Sequence, residues 1–124
     1  MTLDEVCKVG QDELDNFQGF TPSPARKQVQ PIAERFSADS ANDITEQLVR
    51  SMSRRVLNAL AALPQGTWTT TAPSSGNLGG VEHRAIQKGN LALTFRLQYD
   101  GDTMKTVLWV GGYITEEKKA TVGS

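Results

Sequence analysis

Cysteine and histidine are nearly absent from this sequence, which has only Cys7 and His83 among its 124 residues. A single cysteine excludes an internal disulfide framework and is typical of a reducing compartment. One cysteine and one histidine, without carboxylates at ligand spacing, cannot assemble a closed metal site. We therefore expect no metal and no other cofactor.

The sequence also lacks an apolar run of membrane length and the hydrophobic stretch of a signal peptide, so we expect a cytoplasmic protein without a membrane partner. Hydrophobic residues make up 38% of the chain and fall into periodic segments, which predicts a single core. The net charge of −1 is unevenly spread. Residues 1–20 hold five acidic residues and one lysine, whereas 21–124 hold twelve basic and nine acidic residues.

Two amphipathic helices are predicted in the first half of the chain. In the first, Thr2 and Glu5 have capping-box spacing, and Gly19 is placed to end the apolar stripe. Cys7 lies on that stripe and is interpreted as a small core residue, not as a nucleophile. The second helix spans about 43–63, where apolar residues recur every three or four positions.

The polar side of the second helix carries Arg50 and Arg54, which form either a solvated surface or part of a binding face. Between the two helices, residues 25–36 also have helical spacing, interrupted by Pro31. We expect a kinked helix or two short helices there.

The second half of the chain predicts antiparallel strands. Residues 91–99 alternate between apolar and polar side chains, and Asp100 and Gly101 form a dipeptide favoured in two-residue hairpin turns. That turn pairs Leu97 with Met104, Leu93 with Leu108 and Leu91 with Val110.

The preceding strand, about 81–86, is expected to join this hairpin through the three-residue loop 88–90. The loop length places His83 in the core opposite Phe95, as a buried histidine and not as a catalytic base. It also keeps Arg84 out of the core, where an unpaired charge is costly. A short edge strand is predicted at 67–71.

Helices followed by an antiparallel meander of about four strands, packed on the 43–63 helix, predict an α+β fold. We divide the chain into an acidic helical segment over 1–20, a core domain over 21–115 and a flexible tail over 116–124.

In these registers Arg84, Arg96 and Lys105 share the polar face of the sheet, and Arg96 lies opposite Lys105. Like charges directly opposite each other disfavour strand pairing. The face is therefore a candidate site for an acidic partner, either the phosphates of RNA or DNA or the carboxylates of a protein. The alternative is that the long side chains splay apart in water at little cost. Further candidate binding residues are Arg50, Arg54 and Lys88.

The long helix, the run from Glu82 to Arg96 and the later stretch from Val107 to Tyr113 together carry a family resemblance. Over about 43–118, the chain resembles the RelE/ParE toxin superfamily. In that family an arginine-rich strand leads through a glycine turn to a second strand bearing arginine. A third, apolar strand then ends near a histidine, arginine or tyrosine.

The resemblance implies a toxin of a toxin–antitoxin pair that acts on translation by cleaving messenger RNA in the ribosome, or on DNA gyrase. By position, it implies phosphate binding by Arg84 and Arg96 and a catalytic role for Tyr113. It also implies a cognate antitoxin or a second copy of the chain as a partner. Basic residues common in the family are missing after the last strand. That departure favours a non-enzymatic inhibitor or immunity-type factor that uses the same face on an acidic protein. Whether the protein is an enzyme is therefore left open by the sequence.

Overall fold

The computed structural model describes residues 1–18, 32–63 and 82–114. Within these ranges four strands form one antiparallel sheet in the order β1–β4–β3–β2, and two helices pack against it. This arrangement confirms the predicted α+β fold. The elements, in chain order, are helix α1 (Leu3–Asn16), strand β1 (Ile32–Ala38), a 3₁₀ turn (Ala41–Asp43), helix α2 (Glu46–Ala61) and strands β2 (Glu82–Lys88), β3 (Leu91–Asp100) and β4 (Lys105–Ile114).

Helix α1 begins with the predicted capping box. The Thr2 hydroxyl accepts a hydrogen bond from the backbone N–H of Glu5, and the Glu5 carboxylate accepts one from the backbone N–H of Thr2. The apolar stripe is buried as expected, including Cys7, whose thiol has its pKa raised by burial. This stripe shares one hydrophobic core with α2 and the sheet. The helix ends at Asn16, with Phe17 as its C-cap.

Helix α2 confirms the second predicted helix, although it is shorter at both ends. Thr45 is its N-cap, and the Thr45 hydroxyl accepts a hydrogen bond from the backbone N–H of Leu48 at 3.3 Å. Both helices cover the same face of the sheet, α1 over β2 and β3 and α2 mainly over β1 and β4. Two glycines allow the helices to approach the sheet closely. A Cβ atom on Gly112 would lie 2.8 Å from Val56 and 2.7 Å from Leu60, and one on Gly10 would overlap the Phe95 ring.

The prediction of helix through 25–36 is wrong where the structure describes it, because Ile32–Ala38 is a strand that pairs with β4. Ile32 and Phe36 are four residues apart, and a spacing of four fits both a helical stripe and every second residue of a strand. Pairing with β4 makes this segment a strand and not a helix. Several other predictions lie outside the described residues: the helix end at Gly19, the helical pattern over 25–31, the strand at 67–71 and the tail over 116–124.

The predicted register of the β3–β4 hairpin is wrong by four residues. Leu97 lies opposite Leu108, not Met104, and Leu93 lies opposite Gly112. The turn is longer than expected because Asp100 pairs with Lys105, and the Asp100 carboxylate accepts a hydrogen bond from the backbone N–H of Asp102 at 3.0 Å. Because side chains alternate between the two faces of a sheet, a register error of four residues leaves every side chain on its predicted face. Leu91 faces Ile114, and the left-handed conformation falls on Met104 (φ 58°), in the turn.

The β2–β3 register is wrong by a single residue, and this error reverses the faces. Lys88 pairs with Leu91 across the two-residue turn Gly89-Asn90, and Gly89 adopts a φ of 62°. Arg84 consequently lies on the helix-covered face. It is not left unpaired there, because Asp4 of α1 forms an ion pair with it. His83 moves to the other face, opposite Arg96 instead of Phe95, and is half-buried.

We predict that Gly10→Ala destabilises the protein. Overpacking against the fully buried Phe95 ring costs about 1–3 kcal/mol, which exceeds the gain of up to about 1 kcal/mol in helix propensity. Urea denaturation measures the difference. Gly101→Ala is the control, because its Cβ meets only the Tyr99 ring, at 4.0 Å, and its stability should change by less than about 0.5 kcal/mol. Equal stability of the Gly10 variant and the original protein would contradict this packing.

Candidate binding face of the sheet

The face of the sheet turned away from α1 and α2 is called the outer face here. One residue from each strand forms a row across it: Arg35 of β1 lies opposite Trp109 of β4, Trp109 lies opposite Arg96 of β3, and Arg96 lies opposite His83 of β2. Directly opposed residues in antiparallel strands point to the same face. These four residues are called the Trp109 row.

Two guanidinium groups stack on the indole at the centre of the row. The Arg96 guanidinium carbon lies 4.5 Å from the centroid of the Trp109 ring, and that of Arg35 lies 5.3 Å from it. Because β1 and β3 flank β4, the two arginines approach the ring from opposite sides. Cation–π contacts of this kind contribute about 0.5–1 kcal/mol at exposed sites and hold the flexible arginine side chains in place.

The hydrogen bonding of the row is incomplete within the described part of the chain. The Nε–H of Arg96 and the Nε1–H of Trp109 are both buried, and neither donates to an acceptor there. A buried donor without an acceptor costs about 1–3 kcal/mol. Arg35 is exposed, and Arg96, Trp109 and His83 are half-buried, so the row is accessible in part.

Arg35 and Arg96 also differ from the other described arginines, which form ion pairs with carboxylates. Arg50 contacts Asp12, Glu13 and Glu46 at 2.9–3.0 Å, and its hydrogen bonds, that to Glu46 first, raise the pKa of its guanidinium. The remaining pairs are Arg54 with Glu13 at 3.0 Å, Arg55 with Glu34 at 2.6 Å and Arg84 with Asp4. No described carboxylate lies within ion-pairing distance of Arg35 or Arg96.

The predicted binding residues are therefore only partly brought together. Arg96 and Lys105 share the outer face, but Arg96 lies opposite Trp109, and Lys105 lies opposite Asp100 and 3.5 Å from Asp39. The predicted trio of Arg84, Arg96 and Lys105 does not form, because Arg84 is on the covered face. Lys88 is also on the covered face and donates a hydrogen bond to the backbone carbonyl of Asp15 at 2.7 Å, while Arg50 and Arg54 face α1.

Tyr113, the predicted catalytic residue, points to the outer face from β4 but is only 7% exposed. It lies opposite Ala92, which is fully buried. Burial raises the pKa of the Tyr113 phenol. A general base at neutral pH needs a pKa near the working pH, so this environment makes Tyr113 a poor base.

Sequence reasoning missed Arg35 and Trp109. Arg35 fell in a segment predicted to be helical, and Trp109 was treated only as a strand residue. The sequence around Arg35 gives little signal of a strand, because the charged Glu34 lies between Ile32 and Phe36 on the side that is partly buried in the structure.

Two absences hold for residues 1–18, 32–63 and 82–114. Within them no group of three or more histidine, cysteine or acidic side chains is placed to hold a metal ion. In the same ranges no helix is long and apolar enough to span a membrane.

Comparison of the chain with protein-family models, with curated proteins and with solved structures found no match. The resemblance to the RelE/ParE superfamily therefore stays a prediction.

We predict that Tyr113 ionises above the ordinary tyrosine pKa of about 10. In a Tyr99→Phe variant, Tyr113 is the one tyrosine left, so ultraviolet absorbance of the phenolate follows it directly. Burial in the folded state favours the neutral phenol of Tyr113. The stability that this side chain contributes is therefore fully present below the unfolded pKa of about 10 and is lost as the pH rises through the raised pKa of the folded state. The control is the same variant unfolded in urea. Equal midpoints for the folded and unfolded chains would contradict the burial of this side chain.

Proposed function

We propose that this protein is a non-enzymatic binding module that uses its outer face on an acidic protein partner, in the manner of an inhibitor or immunity-type factor. The observation that carries the proposal is the Trp109 row. Two arginines are held there in fixed positions without a carboxylate from the described chain. Positively charged groups that are preorganised and unpaired favour binding to an acidic surface, because little side-chain entropy is lost on association.

Carboxylates of a protein suit this face better than a nucleic acid. Proteins that bind nucleic acids contact several phosphates with many basic residues, whereas most described arginines are already engaged with α1, α2 or β1 carboxylates. Single-stranded nucleic acids also require aromatic faces on which bases stack. Two guanidinium groups already lie within 5.3 Å of the Trp109 ring centroid, so the ring is a poor stacking platform.

A nuclease would need a group that activates a ribose hydroxyl near the phosphate-binding arginines. Tyr113 is buried, and Arg84 lies on the covered face, away from Arg96. This geometry favours binding over catalysis. The toxin activity stays a prediction, and the experiment below tests it as well.

The test compares binding of labelled poly-L-glutamate and of a single-stranded RNA of similar charge, measured by fluorescence anisotropy at low and moderate salt. We expect poly-L-glutamate to bind more tightly, and Arg35→Gln combined with Arg96→Gln to weaken its binding about tenfold or more. The physical reason is that a hydrogen bond to a charged group contributes about 1.5–3 kcal/mol when fully formed.

The matched control is Lys8→Gln combined with Lys88→Gln, which removes the same charge from the helix side of the molecule. Its affinity should stay within about twofold, because nonspecific surface charges contribute little at moderate salt. Poly-L-glutamate binding that is unchanged in the arginine variant would refute the proposal. Growth arrest on induced expression, together with RNA cleavage that Tyr113→Phe abolishes, would replace it with the toxin activity.

A further inference from the structure

The Trp109 row also specifies the chemistry of the partner. Resting on the proposed function, we infer that Arg35 and Arg96 bind two separate carboxylates of one extended acidic segment. Trp109 is the positioning residue that fixes the distance between them. The partner would carry acidic residues at alternate positions of that segment, which is a narrower requirement than an overall negative charge.

The spacing of the two arginines carries this inference. Their strands flank β4, so their Cα atoms are two strand spacings, or about 10 Å, apart. A single carboxylate can pair with two guanidinium groups only when they lie close together, as those of Arg50 and Arg54 do at Glu13. Arg35 and Arg96 reach the Trp109 ring from the two strands that flank β4, so their guanidinium groups are not side by side in that way, and one carboxylate does not pair with both. Two acidic groups are needed to occupy the row.

Alternate residues of an extended chain meet this requirement. Side chains at i and i+2 point to the same side, and their Cα atoms lie about 7 Å apart. The flexible stem of glutamate accommodates the remaining separation. Glutamates at i and i+1 point to opposite sides, so only one of them can face the row.

The electrostatics of the row support two anions. Arg35 and Arg96 are like charges held on either side of one ring, and His83 lies beside Arg96 in the same row. Each carboxylate offsets the repulsion on its own side. The Nε–H of Arg96 is buried, so the carboxylate on that side pairs with the terminal Nη groups of Arg96.

The experiment uses three synthetic peptides of equal length in a glycine–serine background. One has glutamates at i and i+2, one has glutamates at i and i+1, and one has a single glutamate. The first two have the same charge, so they differ only in spacing. Binding is followed by NMR through the Trp109 indole N–H signal in a Trp68→Phe variant, which leaves Trp109 as the one tryptophan.

We expect the i, i+2 peptide to bind about tenfold more tightly than the other two. Arg35→Gln and Arg96→Gln should each reduce its affinity to that of the single-glutamate peptide, because each variant removes one carboxylate site. Trp109→Leu keeps an apolar side chain and both arginines but removes the stacking. It should abolish the preference for i, i+2 over i, i+1, and Trp109→Phe should restore part of it.

The outcomes separate this inference from the proposed function. If the i, i+2 and i, i+1 peptides bind equally, and both arginine variants weaken them equally, the two-carboxylate inference is wrong while the proposed function stands. A phosphoserine peptide that binds more tightly than the i, i+2 peptide also overturns the inference, because the ligand is then a single phosphate. If no acidic peptide binds and poly-L-glutamate also fails to bind, the proposed function itself is wrong.

Discussion

The close approach of both helices to one face of the sheet is the constraint on which the rest of the structure depends. It requires Gly10 in α1, which faces the Phe95 ring, and Gly112 in β4, which faces Val56 and Leu60 of α2. A larger residue at either site would hold a helix away from the sheet and open a gap in a close-packed core. The covered face is thereby fixed, and so is the outer face.

Strand alternation then sorts the charges between the two faces. Glu34 and Arg35 are neighbours in β1, yet they point in opposite directions. Glu34 lies on the covered side and pairs with Arg55 of α2 at 2.6 Å, whereas Arg35 stacks on Trp109. The acidic residues of α1 act on the covered side as well, where they bind arginines of α2 and β2. The outer-face arginines are therefore left without a carboxylate partner in the described chain, because Glu34 and the acidic residues of α1 pair with other arginines.

The helices and the inward face of β3 could be predicted from the sequence because each depends on a local period, 3.6 for α1 and α2 and 2 for β3. Registers could not, because they depend on turn length, which one favoured dipeptide does not determine. Whether a register error is an odd or an even number of residues matters more than its size. The four-residue error in the β3–β4 hairpin left Leu97 facing the core, whereas the one-residue error in β2 moved Arg84 and His83 to the wrong faces.

The candidate site was harder to predict than the fold, because a row across the sheet depends on every register at once. Arg35, Trp109, Arg96 and His83 come from four strands, and an odd error in any one pairing removes a member from the face. The binding chemistry of the row is harder still to predict from the sequence. Six arginine positions in the described chain look alike in the sequence, and what distinguishes Arg35 and Arg96 from the other four is the lack of a carboxylate partner in that part of the chain. That property can be judged only after the acidic residues of α1 and β1 have been placed in space.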